Sequence, residues 1–234
     1  MPVVLQKDQT IPESIHFCGA GWRLFYYLGF CHYLQGHCDD LLLKKVQWSG
    51  ASVGAWMGLM MFLGFPAELA HEYWMVRARY QRSQKSWQEQ IFTGKSMTQM
   101  FMLLNVSSHD VLRINNEKSL KVFINKLSGP FVQLQFKSIE DLHQALMASA
   151  FIPLITQRSL FYRYQNGRCF DGMWRNPHHE PDLFVSIDAV KGYNNVVLSK
   201  KIGSSFYPPI KSDGDALFSQ GFNDACYYFS RKKL

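Results

Sequence analysis

One serine of this chain lies among small residues in a spacing that suits a nucleophile. The pentapeptide Gly50-Ala51-Ser52-Val53-Gly54 follows a short apolar segment and opens a longer one. In that context, G-x-S-x-G is typical of a sharp turn between a strand and a helix, with the serine hydroxyl at its tip. Small neighbours let the backbone close up, and the helix N-terminus stabilises negative charge. The alternative is a glycine-containing buried helix in which Ser52 is only the N-cap.

A second glycine-containing segment, Gly19-Ala20-Gly21-Trp22-Arg23, has the composition of a loop that binds negative charge. It follows a strand-like segment and opens an apolar helix. Backbone N–H groups in such a loop stabilise the oxyanion that forms when a nucleophile attacks a carbonyl. We therefore assign the candidate oxyanion hole to Gly19, Gly21, Trp22 and Arg23.

The G-x-G-x-x-G loop of dinucleotide-binding proteins is an alternative interpretation of the same segment. Position 24 carries leucine where that loop has its third glycine, and no acidic residue closes the next strand-like segment. Close packing of the helix and recognition of the ribose depend on those two features. We therefore set this interpretation aside.

Ser52 also requires a general base, and the eight histidines offer no clear one. None follows a strand in the order typical of a serine–histidine hydrolase, and His178 and His179 follow Asp171 too closely. Asp171 itself lies just past an apolar, strand-like segment, and Gly172 permits a sharp turn. An Asp-Gly pair is also common in plain β-turns, so Asp171 alone is a weak candidate.

These candidate residues need a scaffold that holds them at one edge. The segments SIHFCGAGWR and KKVQWSG each predict a short buried strand and a glycine turn, followed by an apolar helix. The first helix is predicted to stop at Gly36, and the second near Gly64 and Pro66. Two strand–turn–helix units favour an α/β fold with a mostly parallel sheet, in which ligands bind at the carboxyl ends of the strands.

The rest of the chain adds further helices and strands. A basic, mostly helical segment is predicted around 68–130, and Ser138 is predicted to cap a helix that ends at Pro153. The segments GPFVQLQF, GRCFDGMW, DLFVSIDAV and NNVVLSK predict strands, and DALFSQGFNDACYYFSRKK predicts a last helix. No repeat or long linker divides the sequence, so we predict one domain over residues 1–234.

The uncharged stretch from Val46 to Ala67 also invites interpretation as a membrane span. Its first part, VQWSGASVG, contains a turn, and the remaining helical part of about 14 residues is too short to cross a bilayer. The segment MPVVLQKDQTIPES lacks the basic start and apolar run of a signal peptide. We expect a cytoplasmic protein without a signal peptide or transmembrane span.

Charge and cysteine content narrow the classes of partner. Lys and Arg outnumber Asp and Glu by 25 to 18, and the net charge of +7 favours acidic partners. No nucleic-acid-binding motif is present, so nucleic acid is not an expected partner. The five cysteines are odd in number and lack a C-x-x-C pair, which argues against a disulfide framework or a zinc site. We expect no metal and no cofactor.

Basic and aromatic side chains occur together in the middle of the chain. The aromatic residues are Tyr73, Trp74, Trp87 and Phe92, and the basic ones are Arg77, Arg79, Arg82 and Lys85. This combination suits peripheral contact with an anionic membrane surface. The alternatives are aromatic residues that belong to the core and arginines on a solvated helix face.

Taken together, the motifs resemble those of the patatin-like phospholipases. That family has a glycine-rich oxyanion loop, G-x-S-x-G and a D-G-[GA] turn, and this chain has residues 19–23, 50–54 and 171–172 in the same order. FCGAGWRLFYYLGFCHYL is similar to the start of the adiponutrin and adipose-triglyceride-lipase branch. SIEDLHQALMASAFIPLI and GFNDACYYF are similar to other family helices. The resemblance covers most of residues 14–229 and is weakest across 75–130.

The resemblance implies a three-layer α/β/α fold with a mostly parallel central sheet, and hydrolysis of a carboxylic ester in a phospholipid or acylglycerol. Ser52 would be the nucleophile and Asp171 the base, with no metal or cofactor. Gly50 and Gly54 would shape the nucleophile turn, and Gly172 the aspartate turn.

Two residues depart from the family pattern. Leu24 replaces a glycine of the oxyanion loop, and Met173 replaces the small residue after Asp-Gly. These departures support an alternative, in which the chain is a catalytically weak relative that binds a membrane or lipid droplet as a scaffold. The sequence indicates no particular protein activator.

Overall fold

A single sheet of eight described strands organises the chain. The computed structural model describes residues 11–84, 94–156, 159–172, 181–188, 194–200 and 202–231. The strands are β1 (Ser14–Phe17), β2 (Gln47–Ala51), β3 (Leu120–Lys126), β4 (Gly129–Gln133), β5 (Tyr162–Tyr164), β6 (Gly167–Phe170), β7 (Leu183–Ser186) and β8 (Asn195–Val197).

The centre of the sheet is parallel. The strand order is β5-β6-β3-β2-β1-β7-β8, with β4 paired to β3 outside this path. The four pairings that join β3, β2, β1, β7 and β8 are parallel, and the three pairings that involve β4, β5 and β6 are antiparallel. The prediction of an α/β fold with a mostly parallel central sheet is therefore confirmed.

Eight α-helices occur in the described residues. They are α1 (Leu24–His37), α2 (Asp40–Leu43), α3 (Val53–Leu63), α4 (Ala67–Arg82), α5 (Gly94–Leu104), α6 (Ser108–Glu117), α7 (Ile139–Ser149) and α8 (Lys211–Arg231). Gly64 ends α3 in the left-handed conformation at φ 67°, as predicted. Two other predicted ends are wrong. Helix α1 runs through Gly36 to His37, and α7 ends at Ser149, before Pro153.

Helices α1 and α3 pack on the same face of the sheet. The ring of Phe17 on β1 lies 5.5 Å from Tyr27 and 5.9 Å from Phe30, both on α1. Gly58 of α3 packs against Trp48 and Leu120 on the neighbouring strands. The apolar side chains of β1 and β2 on this face, Ile15, Phe17 and Trp48, are fully buried.

The uncharged stretch that begins at Val46 forms β2, a turn and the 11-residue helix α3. None of the described helices is both long enough and apolar enough to cross a membrane. The apolar character of α3 instead reflects its position, because ten of its eleven residues, 53–62, are buried against the sheet and the surrounding helices.

Candidate active site

Ser52 forms the turn between β2 and α3. Its backbone angles are φ 56° and ψ −133°, which are unusual for a residue with a side chain. Such a conformation costs about 1–3 kcal/mol and persists only where surrounding contacts enforce it. Ser52 is the N-cap residue of α3, as the alternative interpretation held, but its side chain makes no capping hydrogen bond to the helix.

The two glycines around Ser52 are required by close packing. A Cβ atom on Gly50 would lie 2.3 Å from the carbonyl carbon of Gly54. A Cβ atom on Gly54 would lie 2.0 Å from the carbonyl oxygen of Phe17, at the end of β1. Any side chain at either position would therefore collide with backbone and push the turn apart.

A residue that the sequence analysis missed holds the backbone of this turn. The N–H of Ser52 donates to Oγ of Ser149, at the end of α7, over 2.9 Å. The Ser149 hydroxyl in turn donates to the carbonyl oxygen of Phe123 on β3 over 2.6 Å, and Ser149 is completely buried. The available signal was weak: a lone serine in the apolar stretch LMASAFI.

Asp171 follows β6 directly and is 2% exposed. Its backbone carbonyl accepts a hydrogen bond of 2.7 Å from Nδ2 of Asn125, a buried residue of β3. Asn125 was also missed by the sequence analysis, since nothing local connects it with Asp171. Met173 lies outside the described residues.

The turn at Asp171 contacts the turn at Ser52. A Cβ atom on Gly172 would lie 2.1 Å from the carbonyl oxygen of Phe123 and 3.3 Å from Cβ of Ala51. Ala51 immediately precedes Ser52, and Gly172 immediately follows Asp171. The structure therefore brings together two motifs that are far apart in the sequence.

The predicted oxyanion loop lies beside the same turn. Gly21–Arg23 forms a short 3-10 helix before α1, and Gly21 adopts φ 55° with its backbone against Ser205. A Cβ atom on Gly54 would lie 2.6 Å from the carbonyl oxygen of Cys18. The start of α3 is thus packed against the start of this loop.

Two of the expected oxyanion donors are occupied by the protein itself. The N–H of Trp22 donates to the carbonyl oxygen of Ser205 over 2.9 Å, and the N–H of Arg23 donates to that of Ala20 over 3.2 Å. The geometry therefore does not fit the expectation that Trp22 and Arg23 supply donors to an oxyanion. Both N–H groups already donate to backbone carbonyls of the protein.

The N–H groups of Gly19, Ala20 and Gly21 form no hydrogen bond with the part of the chain that the structure describes. They lie between the end of β1 and the 3-10 turn, where the backbone is irregular. Gly19 and Ala20 are buried, and Gly21 is half-buried.

The side chains of Arg23 and Leu24 point to structural roles. The Arg23 guanidinium donates to the carbonyl oxygens of Ile202 and Gly203, at 3.4 and 2.9 Å. It therefore ties the predicted oxyanion loop to the segment before α8. Leu24 begins α1 and is fully buried, so this departure from the family pattern is absorbed by the core.

Other reactive groups near the loop are less suitable for chemistry. Burial raises the pKa of the Cys18 thiol to about 12, which keeps it protonated at neutral pH. Across the described residues, no group of three or more His, Cys, Asp or Glu side chains is arranged to hold a metal ion.

One histidine contacts a serine within the sheet. Nδ1 of His16 is 3.0 Å from Oγ of Ser49, and its ring centroid lies 5.0 Å from that of Phe123 and 5.2 Å from that of Phe184. Within the described ranges, no histidine forms a hydrogen bond with Ser52. His178 and His179 lie outside those ranges.

The basic and aromatic cluster is partly built into the core. Trp74 is buried, the Tyr73 hydroxyl donates to the Ser96 carbonyl, and Arg77 donates to the Ser96 hydroxyl. These contacts join α4 to α5, whereas Arg79 and Arg82 are exposed. Lys85, Trp87 and Phe92 lie outside the described residues.

Comparisons with known proteins support this picture. A protein-family model described as patatin-like phospholipase matches residues 15–182, a range that includes Ser52 and Asp171. No curated protein gives a significant match.

Two solved structures resemble the chain. One is VipD from Legionella pneumophila, which is 10% identical with a TM-score of 0.54 over 95% of this chain and 68% of that chain. The other is the type III effector protein ExoU, which is 14% identical with a TM-score of 0.48 over 97% of this chain. This chain spans about half of ExoU, 54% of its length. The likeness to VipD supports the fold, and the family match covers well over half of the chain. The chain belongs to the patatin-like phospholipase family.

Proposed function

We propose that this protein hydrolyses carboxylic esters of phospholipids or acylglycerols, with Ser52 as the nucleophile and Asp171 as the general base. Family membership supports lipid hydrolysis in general. The observation that carries the residue assignment is the packing of the two turns. Ser52 is held at positive φ while Ala51, next to it, packs against Gly172 of the aspartate turn.

In the first half of the reaction, Oγ of Ser52 attacks the acyl carbonyl carbon and its proton passes to the carboxylate of Asp171. Negative charge develops on the carbonyl oxygen. The N–H groups of Gly19, Ala20 and Gly21 would stabilise it, together with the N-terminus of α3. The ester C–O bond then breaks, and the leaving alcohol takes the proton from Asp171.

In the second half, Asp171 removes a proton from a water molecule, which attacks the acyl carbon of the acyl-enzyme. The bond between that carbon and Oγ of Ser52 breaks, the fatty acid leaves, and the proton returns to Ser52. Every proton and electron pair in these steps is carried by the two side chains, the substrate and water.

The proposal is tested with purified wild-type, Ser52→Ala and Asp171→Asn proteins on phospholipid vesicles, triacylglycerol emulsions and a short soluble ester. Fluorophosphonate labelling reports the reactivity of Ser52, and thermal unfolding checks the fold. Ser49→Ala is the matched control, because it removes a buried serine hydroxyl from β2, the strand that leads into Ser52. Full activity of either site variant would overturn the assignment. A wild-type protein that binds vesicles but neither hydrolyses nor labels would favour the scaffold alternative.

A further inference from the structure

The hairpin of β5 and β6 places two like charges opposite each other. Arg163 and Arg168 are directly paired across the two strands, and both are exposed. Like charges in this arrangement repel and destabilise the pairing. Neither arginine forms an ion pair with a carboxylate in the described part of the chain. The pair therefore has positive potential that an external anion would neutralise.

The surroundings of the pair form a polar cavity of about 420 Å³. Gln165, Asn166 and Gly167, at the tip of the hairpin, line it together with the two arginines, and no carboxylate is among the described residues that line it. A cavity with two guanidinium groups and no acidic side chain is suited to an anion with several oxygen atoms, because each guanidinium binds such oxygens in pairs.

Aromatic rings adjoin the arginines. The guanidinium of Arg168 lies 5.3 Å from the ring centroid of Phe161, and the rings of Phe161 and Phe170 lie 5.5 Å apart. Alternate residues of a strand share a face, so Arg168 and Phe170 are on the same side of β6. Both phenylalanines are only half-buried. The surface thus combines cationic and apolar groups, as a lipid with a charged head group requires.

The hairpin extends from the edge of the sheet that carries Ser52 and Asp171. Strand β3 is parallel to β2, whose carboxyl end leads into Ser52, and β6 is antiparallel to β3. The tip of the hairpin therefore projects beyond that edge. Arg168 precedes Asp171 by three residues, a distance of roughly 10 Å along a strand.

We propose that Arg163 and Arg168 bind the phosphate group of a phospholipid at the membrane surface. The pair would thereby favour anionic phospholipid over uncharged acylglycerol as the substrate. This inference rests on the proposed lipid hydrolase function, since it assigns a head-group site to the same active site. It also places the contact with anionic lipid on the hairpin and not on α4.

Binding is measured in the Ser52→Ala background, so that the result does not depend on hydrolysis. The probes are vesicles of phosphatidylcholine alone, vesicles that also contain phosphatidic acid, and inorganic phosphate as a competitor. The test variants are Arg163→Gln/Arg168→Gln and the charge-conserving Arg163→Lys/Arg168→Lys. Arg79→Gln/Arg82→Gln is the matched control, because it removes the same charge from exposed arginines of α4. Thermal unfolding checks each fold.

The glutamine pair is expected to weaken binding to phosphatidic acid vesicles by roughly tenfold or more, and the α4 control by less than about twofold. The lysine pair should fall between wild type and the glutamine pair, and added salt should reduce the differences. With Ser52 restored, the glutamine pair should also lower the ratio of phospholipid to triacylglycerol turnover.

Equal losses in the hairpin and α4 variants would overturn the proposal in favour of non-specific attraction. Unchanged vesicle binding by the folded glutamine pair would overturn it as well. Vesicle binding that is lost only in the glutamine pair, in a chain whose Ser52 proves inactive, would support the phosphate site while refuting the hydrolase.

Discussion

Ser49 and Ser52 stand three residues apart in the chain, on either side of the point where β2 ends. Ser49 lies inside the sheet with Nδ1 of His16 at 3.0 Å, and its hydroxyl donates to the carbonyl oxygen of Ile15. Ser52 lies past the end of the strand at positive φ, without a bond to any described histidine. By side-chain proximity alone, Ser49 has the better base.

Under the proposed function, a histidine near a serine is insufficient for nucleophilic catalysis. Ser49 is 1% exposed and lies within β2, whereas Ser52 is 6% exposed and lies past the carboxyl end of that strand. Ser52 lies beside a loop with unbonded N–H groups and beside the turn of a buried carboxylate. Access to the sheet edge, oxyanion donors and a base must coincide.

The strongest test of the comparison between Ser49 and Ser52 is substitution of the proposed dyad, Ser52 and Asp171. We expect Ser52→Ala and Asp171→Asn each to lower kcat by about a thousandfold or more, without unfolding the protein. Residues that act as one unit give non-additive losses, so the double variant should be little worse than either single variant. Steady-state kinetics on one soluble ester gives kcat for the two single variants and for the double variant. Multiplicative losses in the double variant would contradict a shared step.

The second test removes the hydrogen bond by which Ser149 holds the backbone of Ser52. Ser149→Ala removes the acceptor for the Ser52 N–H and leaves that buried donor unpaired, at a cost of about 1–3 kcal/mol. If the turn relaxes in consequence, kcat should fall roughly tenfold to a hundredfold with little change in KM.

Ser149→Thr, which keeps a hydroxyl, should recover much of the activity and of the fluorophosphonate labelling rate. A folded Ser149→Ala protein with normal kcat would limit Ser149 to a role in stability. It would also mean that the unusual backbone of Ser52 is held by other contacts.

The third test substitutes Ser49 and His16, and we expect the rate of ester hydrolysis to stay almost unchanged. Ser49→Ala breaks the buried hydrogen bonds to His16 and Ile15, which should lower the free energy of unfolding by about 1 kcal/mol. Turnover per folded molecule should stay within about twofold of wild type. His16→Ala should likewise reduce stability more than kcat. A loss of activity comparable to that of Ser52→Ala would reverse the comparison.

The smallest expected effect is on the pH dependence of stability and involves His143. His143 packs against Trp56 and Phe101, and burial lowers its pKa below the ordinary value, although Glu140 opposes the shift. The unfolded chain therefore binds the proton more readily than the folded chain. The contribution of His143 to stability is complete above its unfolded pKa of about 6.5 and declines as the pH falls below it.

We expect His143→Phe to reduce the loss of unfolding free energy between pH 7 and pH 5, as measured by denaturant titration. The rate at which Ser52 reacts with a fluorophosphonate at pH 7 should be unaffected by this substitution. An equal pH dependence in wild type and variant would show that His143 does not titrate differently on folding.

The sequence alone determined the elements and the turns that carry the proposed site. The apolar runs before residues 19–23 and 50–54 predicted β1 and β2, and the small residues predicted a tight turn at Ser52. The order of Gly50, Ser52, Gly54 and Asp171 indicated the family. These features could be predicted because strand periodicity, turn formation and steric demands for glycine act over a few neighbouring residues.

The tertiary structure alone decided which distant groups complete those turns. Ser149 reaches Ser52 across 97 residues and Asn125 reaches Asp171 across 46, while Ser205 takes the N–H of Trp22 that the sequence had assigned to the oxyanion. Such contacts depend on how whole elements pack and on which strand pairs with which. Local residue patterns do not encode that choice, because each hydrogen bond forms only after burial has brought its partners together.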